Sequence, residues 1–271
     1  MSKKMLQLVV LSALVLFCTN AFAGGSGNPV EPLKATTKHL GVAAAFGYDY
    51  MANRLFDLDL PGSSSDDTSV NDLHQVYGKI ILGFNETTNI YAKVGGASYD
   101  PSFKSNNSKI SLELEDGIFA GLGLNKLQPF KNIGSLPIDL GFDIQANMFI
   151  NNVDTVSREG ASGTSVDGTL YGLNGKNSIY LTCKYTIEQL KTRIVPYAGA
   201  YHSWIVLGSF DDVSYTSSGT NYTHDLNANY DVLAFGPLVG LDMDIADFLT
   251  FNIEGRFVGE NSLTAGATIR Y

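Results

Sequence analysis

A closed antiparallel β-sheet that crosses a membrane is the fold class this sequence predicts: an all-β, up-and-down transmembrane β-barrel, ten strands fitting best and eight as the alternative. Three observations predict it. The chain opens with an export-type segment, its body alternates apolar and polar residues over long runs, and its connections alternate between short and long. Lipid solvates no backbone N–H or C=O, so only a sheet closed on itself can satisfy every backbone group among strands of this kind.

The N-terminus comes first. Lys3 and Lys4 give a basic start, Met5 to Phe17 an apolar stretch, and Ala21-Phe22-Ala23 a small-x-small cleavage site before Gly24. The apolar run is shorter than the roughly 20 residues a spanning helix needs, so residues 1–23 read as a cleaved signal peptide and not as an anchor. Cys18 would serve a lipoprotein, but the bulky Phe17 before it does not suit that processing. Residues 24–37 then form a short periplasmic segment and 38–271 the barrel.

Composition excludes several classes. Losing Lys3 and Lys4 from 18 basic residues against 27 acidic ones moves the net charge from −9 to −11, which rules out a nucleic-acid surface. Cys183 is then the lone cysteine, so the mature chain has no internal disulfide, and no metal-ligand or cofactor-binding spacing surrounds it. Tyr (14) and Phe (15) are abundant beside a single Trp, an aromatic load that suits interfacial girdles and also a soluble sandwich. The roughly 248 residues after the signal show no linker-like division.

The strands follow in order. The first, 39–52, sends Leu40, Val42, Ala44, Phe46, Tyr48 and Tyr50 outward. The second and third, 74–85 and 88–98, flank the polar turn Asn85-Glu-Thr-Thr-Asn89. The fourth, 114–125, sets Ile118, Ala120, Leu122 and Leu124 against Gly117, Phe119, Gly121 and Gly123. The fifth is the clearest. From Ile138 to Ile150 seven apolar residues keep strict period two opposite Asp139, Gly141, Asp143, Gln145, Asn147 and Phe149, a span of about 40 Å at strand rise. The sixth, 177–188, alternates Ile179, Leu181, Cys183 and Tyr185 with Ser178, Tyr180, Thr182 and Lys184. The seventh, 192–207, is ambiguous in facing around Tyr197 and Tyr201. The eighth, 229–245, presents Leu233, Phe235, Val239, Leu241 and Met243, and the ninth, 247–258, Leu249, Phe251, Ile253 and Phe257. The tenth runs Leu263-Thr-Ala-Gly-Ala-Thr-Ile-Arg-Tyr271.

Connections fix the topology. Those at 53–73, 99–113, 151–176 and 208–228 are long and polar, those at 85–89, 188–192 and 245–247 are short, 126–136 is intermediate and 259–261 tight. Ten strands with both ends on the periplasmic side put every long loop outside, as outer-membrane barrels have them.

The face opposite the apolar one lines the lumen. It carries Lys79, Lys93, Asp139, Asp143, Lys184, Asp242, Asp244, Glu254, Arg256 and Arg270, with opposite signs on neighbouring strands. Two readings stay open: a charged constriction of a water-filled pore, or a salt-bridged plug. The narrowness of a ten-stranded barrel favours the plug. Catalysis is not expected. Asp66-Asp67, Asp211-Asp212 and His224-Asp225 supply residue types that a rim protease uses, and His74 or His202 with Ser203 those of an acyl hydrolase, but no wider motif surrounds either set. Asp57, Asp59, Asp66, Asp67 and Asp72 give the first outer loop an acidic surface, without calcium-loop spacing, where divalent cations bridge lipopolysaccharide.

These residues resemble the small bacterial outer-membrane β-barrels of the OmpA/OmpW-like superfamily. The likeness rests on the signal, the alternation, the ending Ala265-Gly-Ala-Thr-Ile-Arg-Tyr271, and Val195-Pro-Tyr-Ala-Gly-Ala-Tyr-His-Ser203, which is similar to a Pro-Tyr-x-Gly-x-x-Tyr strand of such barrels. Gly27-Asn-Pro-Val-Glu-Pro32 is similar to the mature start of chlamydial-type major outer-membrane porins, whose cysteine-rich loops this chain lacks. The resemblance implies outer-membrane lipid and lipopolysaccharide as surroundings, and a barrel-assembly machinery that reads Tyr271. Its functional expectations are a structural or surface-interaction barrel, a small porin-like channel, or, most remotely, a protease or lipid-modifying enzyme.

Overall fold

The computed structural model describes residues 41–56, 68–105, 108–133, 136–158, 161–162, 164–210, 213–217, 219–224, 229–230, 234–245 and 248–271. The signal segment, the 24–37 segment, Leu40, Leu233 and the carboxylates at 57, 59, 66, 67, 211, 212 and 225 lie outside the described residues.

Ten long strands form the wall: β1 Val42–Phe56, β2 Thr68–Asn85, β3 Thr88–Ser105, β4 Gly117–Ile133 and β5 Leu136–Arg158. They continue as β6 Thr169–Cys183, β7 Thr192–Ser209, β8 Ala234–Ile245, β9 Leu249–Arg256 and β10 Glu260–Arg270. Each pairs antiparallel with the next, and β10 returns to β1 from Ala43↔Arg270 to Arg54↔Glu260. The sheet is therefore a closed ten-stranded barrel without a free edge in the wall, and Tyr271 N–H adds a bond to Val42 O at 2.9 Å.

Facing follows the alternation. Phe46, Ile80, Val94, Ile118 and Leu122 point away from the barrel and are 61–70% exposed, whereas Asp49, Lys79, Lys93 and Phe119 between them are buried. On β5, Ile144 and Met148 are exposed while Asp143, Gln145, Asn147 and Phe149 are buried. Tyr197 and Tyr201, ambiguous by pattern, both point inward.

Aromatic rings bound the apolar belt at two levels. Phe84, Phe130, Tyr185, Phe248 and Tyr271 mark the end that carries the short turns. At the other level Tyr48, Tyr50 and His74 cluster, with Tyr48 Oη and His74 Nδ1 2.7 Å apart and the Tyr50 ring 4.8 Å from His74. From Phe84 to His74 along β2 is about 33 Å of strand, or roughly 25 Å of height at a tilt near 40°, which matches a bilayer's apolar band. A closed sheet with an apolar exterior of this height between aromatic girdles is the fold of a transmembrane β-barrel.

The strands run longer than the alternation suggested. β4 continues to Ile133 through the stretch 126–136 expected as a connection, because Leu127 keeps the inward alternation and the register shifts between Pro129 and Lys131, where proline offers no N–H. The stretches 99–113, 151–176 and 208–228 are likewise not simple solvated loops. β3 extends to Ser105 and returns as Ser108–Leu114, which pairs with β5. Val213–Ser217, Thr220–His224 and Thr164–Asp167 form a separate three-stranded sheet beyond the outer ends. The expected eighth strand is split: Asn229–Tyr230 pairs with β7, apart from β8. The expected sixth starts eight residues earlier, at Thr169, and Tyr185–Ile187 follows it separately before a 3-10 turn at Glu188–Leu190.

Candidate functional site in the lumen

The interior is filled in two zones. The zone nearer the short turns is polar. Among the described residues it carries Lys79, Lys93, Lys176, Lys184, Arg193, Arg256 and Arg270 against Asp49, Asp139, Asp143, Asp242, Asp244, Glu254 and Glu260, an even balance of sign.

Toward the short turns, Asp244 of β8 ties three neighbours together. It accepts from Arg193 of β7 through Oδ2 (2.6 Å), and through Oδ1 from Arg270 of β10 (2.9 Å) and the Thr250 hydroxyl of β9 (2.6 Å). Lys184 pairs with Asp139 at 3.0 Å on the β5–β6 side. Arg256 donates to Glu254 at 2.8 Å and lies 3.7 Å from Glu260. Glu254 also accepts the Tyr197 hydroxyl at 3.0 Å, and Glu260 accepts those of Ser203 (3.0 Å) and Ser262 (2.8 Å).

Glycines let this interior close. Tyr77 lies on Gly47, Tyr91 on Gly123, Tyr180 on Gly141 and Tyr197 on Gly240, and in each pair a β-carbon on the glycine would collide with the ring. All four are cross-strand partners. Laid flat, Tyr91 reaches past β4 to donate to Asp143 of β5 at 3.0 Å, and Tyr197 reaches past β8 to Glu254 of β9. Tyr77 donates to Asp49 at 3.2 Å. Lys79 and Lys93, themselves cross-strand partners, hold their ammonium groups 5.4 and 4.9 Å from the Tyr77 ring centroid, within cation–π range. Lys93 also donates to Gln145 at 2.8 Å and lies 4.0 Å from Asp49.

The outer zone is apolar on the β1–β7 side, whereas Arg256, Glu260 and Ser262 keep it polar on the β9–β10 side, where Ser262 pairs with Met51 and Glu260 with Arg54. Met51, Leu73, Tyr99, Phe119, Phe149, Leu170 and Ile205 of the wall meet Ile110, Leu112 and Leu114 of the returning strand and Val213 and Tyr215 of the separate sheet in one buried cluster. Tyr99 and Phe149 pack edge to face at 5.0 Å. The outer strands thus pack an apolar core against the outer ends of β1–β7.

The sequence-derived charges therefore fall into distinct groups. Lys79, Lys93 and Asp143 sit with the tyrosines, Asp139 with Lys184, and Glu254 with Arg256. Asp242 accepts from Asn252. Arg270 pairs with Asp244. Asp143 accepts the Tyr91 hydroxyl, and Lys184 pairs with Asp139. Asp49, Lys176, Arg193 and Glu260 are further lumen charges that the pattern left out. Asp49 sits on the inward face of the first alternation and was legible there, Lys176 and Glu260 lay just outside the expected strand ends, and Arg193 lies on the strand of uncertain facing.

His202 and Ser203 do not assemble, and the His224 side chain and Asp225 lie outside the described residues. Ser203 is fully buried in the lumen on Glu260, whereas His202 points out to Asn177, its Nδ1 3.3 Å from the amide, because adjacent strand residues face opposite sides. Beyond the outer girdle, burial and the neighbouring Glu113 and Asp72 carboxylates raise the Asp100 pKa above its usual range.

No family model and no curated protein matches this chain. Among solved structures it is similar to the translocator domain of the autotransporter NalP from Neisseria meningitidis, at 10% identity over 88% of this chain and 91% of that one, TM-score 0.49. It is also similar to the outer membrane protease OmpT from Escherichia coli, at 10% identity over 90% and 100%, TM-score 0.41. The outer membrane protein OprG from Pseudomonas aeruginosa aligns at 11% identity over 85% and 95%, TM-score 0.38. Likeness at this level transfers no activity, and the barrel rests on its own strand register.

Proposed function

We propose that this chain is an integral outer-membrane barrel, exported through its N-terminal signal and inserted by the barrel-assembly machinery, that works through its outer face and not as an open pore. The observation that carries this reading is the apolar core packed inside the outer ends of β1–β7. A water-filled channel needs a polar path from end to end, and side chains such as Phe149, Leu170, Leu112 and Val213 interrupt it. The packed tyrosines and ion pairs below reinforce the closure, since a ten-stranded wall leaves little space once side chains fill it.

The outer strands stand above the girdle and expose Glu113, Glu115, Asp116 and Asp154 beside Thr220 and Asn221. That polar, acidic surface suits contacts with lipopolysaccharide, through shared divalent cations, or with neighbouring surfaces. A porin-like channel is the second reading, favoured by the polar, partly charged lower lumen. Purified protein in planar bilayers tests the choice. The closed reading expects no steady conductance, and a stable open level would make the porin reading the better one.

A further inference from the structure

Beneath the apolar core the Lys176 and Lys93 ammonium groups and the Gln145 amide meet, and the one acceptor among them, Gln145 Oε1, is taken by Lys93. Lys176 of β6 and Gln145 of β5 are cross-strand partners on the inward face, so their β-carbons are about 4.5–5.5 Å apart. Lys176 is 5% exposed, and among the described residues its ammonium has neither a carboxylate within ion-pair distance nor a hydrogen bond. Lys93 donates to Gln145 Oε1 at 2.8 Å. An ammonium cannot accept, so this bond fixes the amide with its oxygen on Lys93 and its Nε2 turned away. That Nε2 is buried and finds no acceptor.

The neighbours do not fill the gap. Ser203, the partner of Lys176 on the β7 side, directs its hydroxyl to Glu260 at 3.0 Å. Asp143, two residues from Gln145 on the same face, accepts the Tyr91 hydroxyl at 3.0 Å. An ammonium held largely out of bulk water without a counter-charge is unfavourable, and a water molecule would satisfy the hydrogen bonds while leaving the charge uncompensated.

We propose that Lys176, the Gln145 amide and Lys93 form a binding site for one small inorganic anion, enclosed in the lumen below the apolar core. Lys176 supplies the charge, Gln145 Nε2 a directed donor, and Lys93 holds the amide in the orientation that binding needs. The site goes beyond the closed-barrel reading and depends on the inward register of β5 and β6, not on whether the lumen conducts.

Bromide is the probe. Crystals of the full barrel grown in sodium bromide should show an anomalous peak between Lys176 and Gln145, and an ordered water there without bromide would overturn the site. In detergent, the unfolding temperature of the wild-type barrel should rise saturably with bromide against sodium gluconate of equal ionic strength. Lys176→Met should lose that rise, whereas Arg193→Gln, remote at the other end, should keep it. An equal bromide response in Lys176→Met would overturn the proposal, and if that variant does not assemble, the wild-type anomalous map decides alone. Steady conductance would sink the closed-barrel reading and leave this result standing.

Discussion

Arg256 donates through Nε to Glu254, two residues before it on β9, at 2.8 Å, with 1% and 3% of the two side chains exposed. Period two puts both on the inward face, so the ion pair is built within one strand and needs no neighbouring stave for its register. Its energetic weight comes from burial. Removing one member leaves the other charged and out of water.

Arg256→Met should therefore destabilise the barrel by about 3–5 kcal/mol, since Glu254 and Glu260 both lose their cation. The double variant Arg256→Met with Glu254→Gln should recover a substantial part, because it removes the orphaned charge along with its partner. Urea unfolding in vesicles measures both. Additive costs in the double variant would show that the pair holds nothing together.

Membrane residence rests on the exterior, and Ile144 tests it. Its side chain is 55% exposed in the middle of the β5 alternation. Ile144→Arg should cost about 2–4 kcal/mol if that face meets lipid near the midplane. The same substitution on a water-facing surface would change stability by no more than about 0.5 kcal/mol. A result in the lower range would contradict the transmembrane assignment, whatever the strand count.

Why the wall was legible and the mouth was not follows from where each pattern is enforced. Ile118, Ile144 and Phe251 must face outward and Asp143, Glu254 and Arg256 inward, so a two-residue period is written into β4, β5 and β9. The tyrosine–glycine contacts join residues far apart in sequence. Gly123 and Gly141 were visible on inward faces, but nothing local says that Tyr91 and Tyr180 lie on them. The outer core fails for another reason. Ile110, Leu112 and Leu114 do alternate, yet Ser and Asn before them outweigh the signal of so short a strand, and Val213 and Tyr215 lie in a polar stretch. Lumen pairing was hardest to read, because strand shear decides which of Asp242 and Asp244 meets Arg270.

Asp100 gives a pH test outside the membrane. Its pKa is raised, first by burial and then by Glu113, so the folded protein holds this proton more tightly than the unfolded chain does. A raised carboxyl pKa means that stability is lost as pH rises from the unfolded value through the folded one, and regained on acidification. Asp100→Asn should stabilise the outer strands at neutral pH and flatten their pH dependence in the mildly acidic range. Hydrogen exchange of β3 and of Ser108–Leu114 measures this. Exchange that is slower in the wild type than in the variant at neutral pH would contradict the sign.

The outer apolar cluster and the polar interior below it can be tested separately. Leu112 is 2% exposed in the outer core, on a short strand that pairs with β3 and β5 outside the ten-stranded ladder. Leu112→Ala should remove about 2–5 kcal/mol of packing. The ten-stranded wall does not depend on that contact, so the loss should appear as local opening of the outer strands and not as unfolding of the barrel. Protease added from outside should then cut near residues 106–116 sooner, while the heat-induced gel shift keeps its midpoint. Conductance distinguishes the barriers. If the apolar core alone blocks the lumen, Leu112→Ala should pass brief current bursts. If the tyrosines and ion pairs below also close it, the variant stays silent, and bursts should require Leu112→Ala combined with a lower change such as Tyr197→Ala, which uncovers Gly240 and frees Glu254. Because both zones are packed, the second outcome is expected, and current from Leu112→Ala alone would show that the lower lumen is hydrated and open.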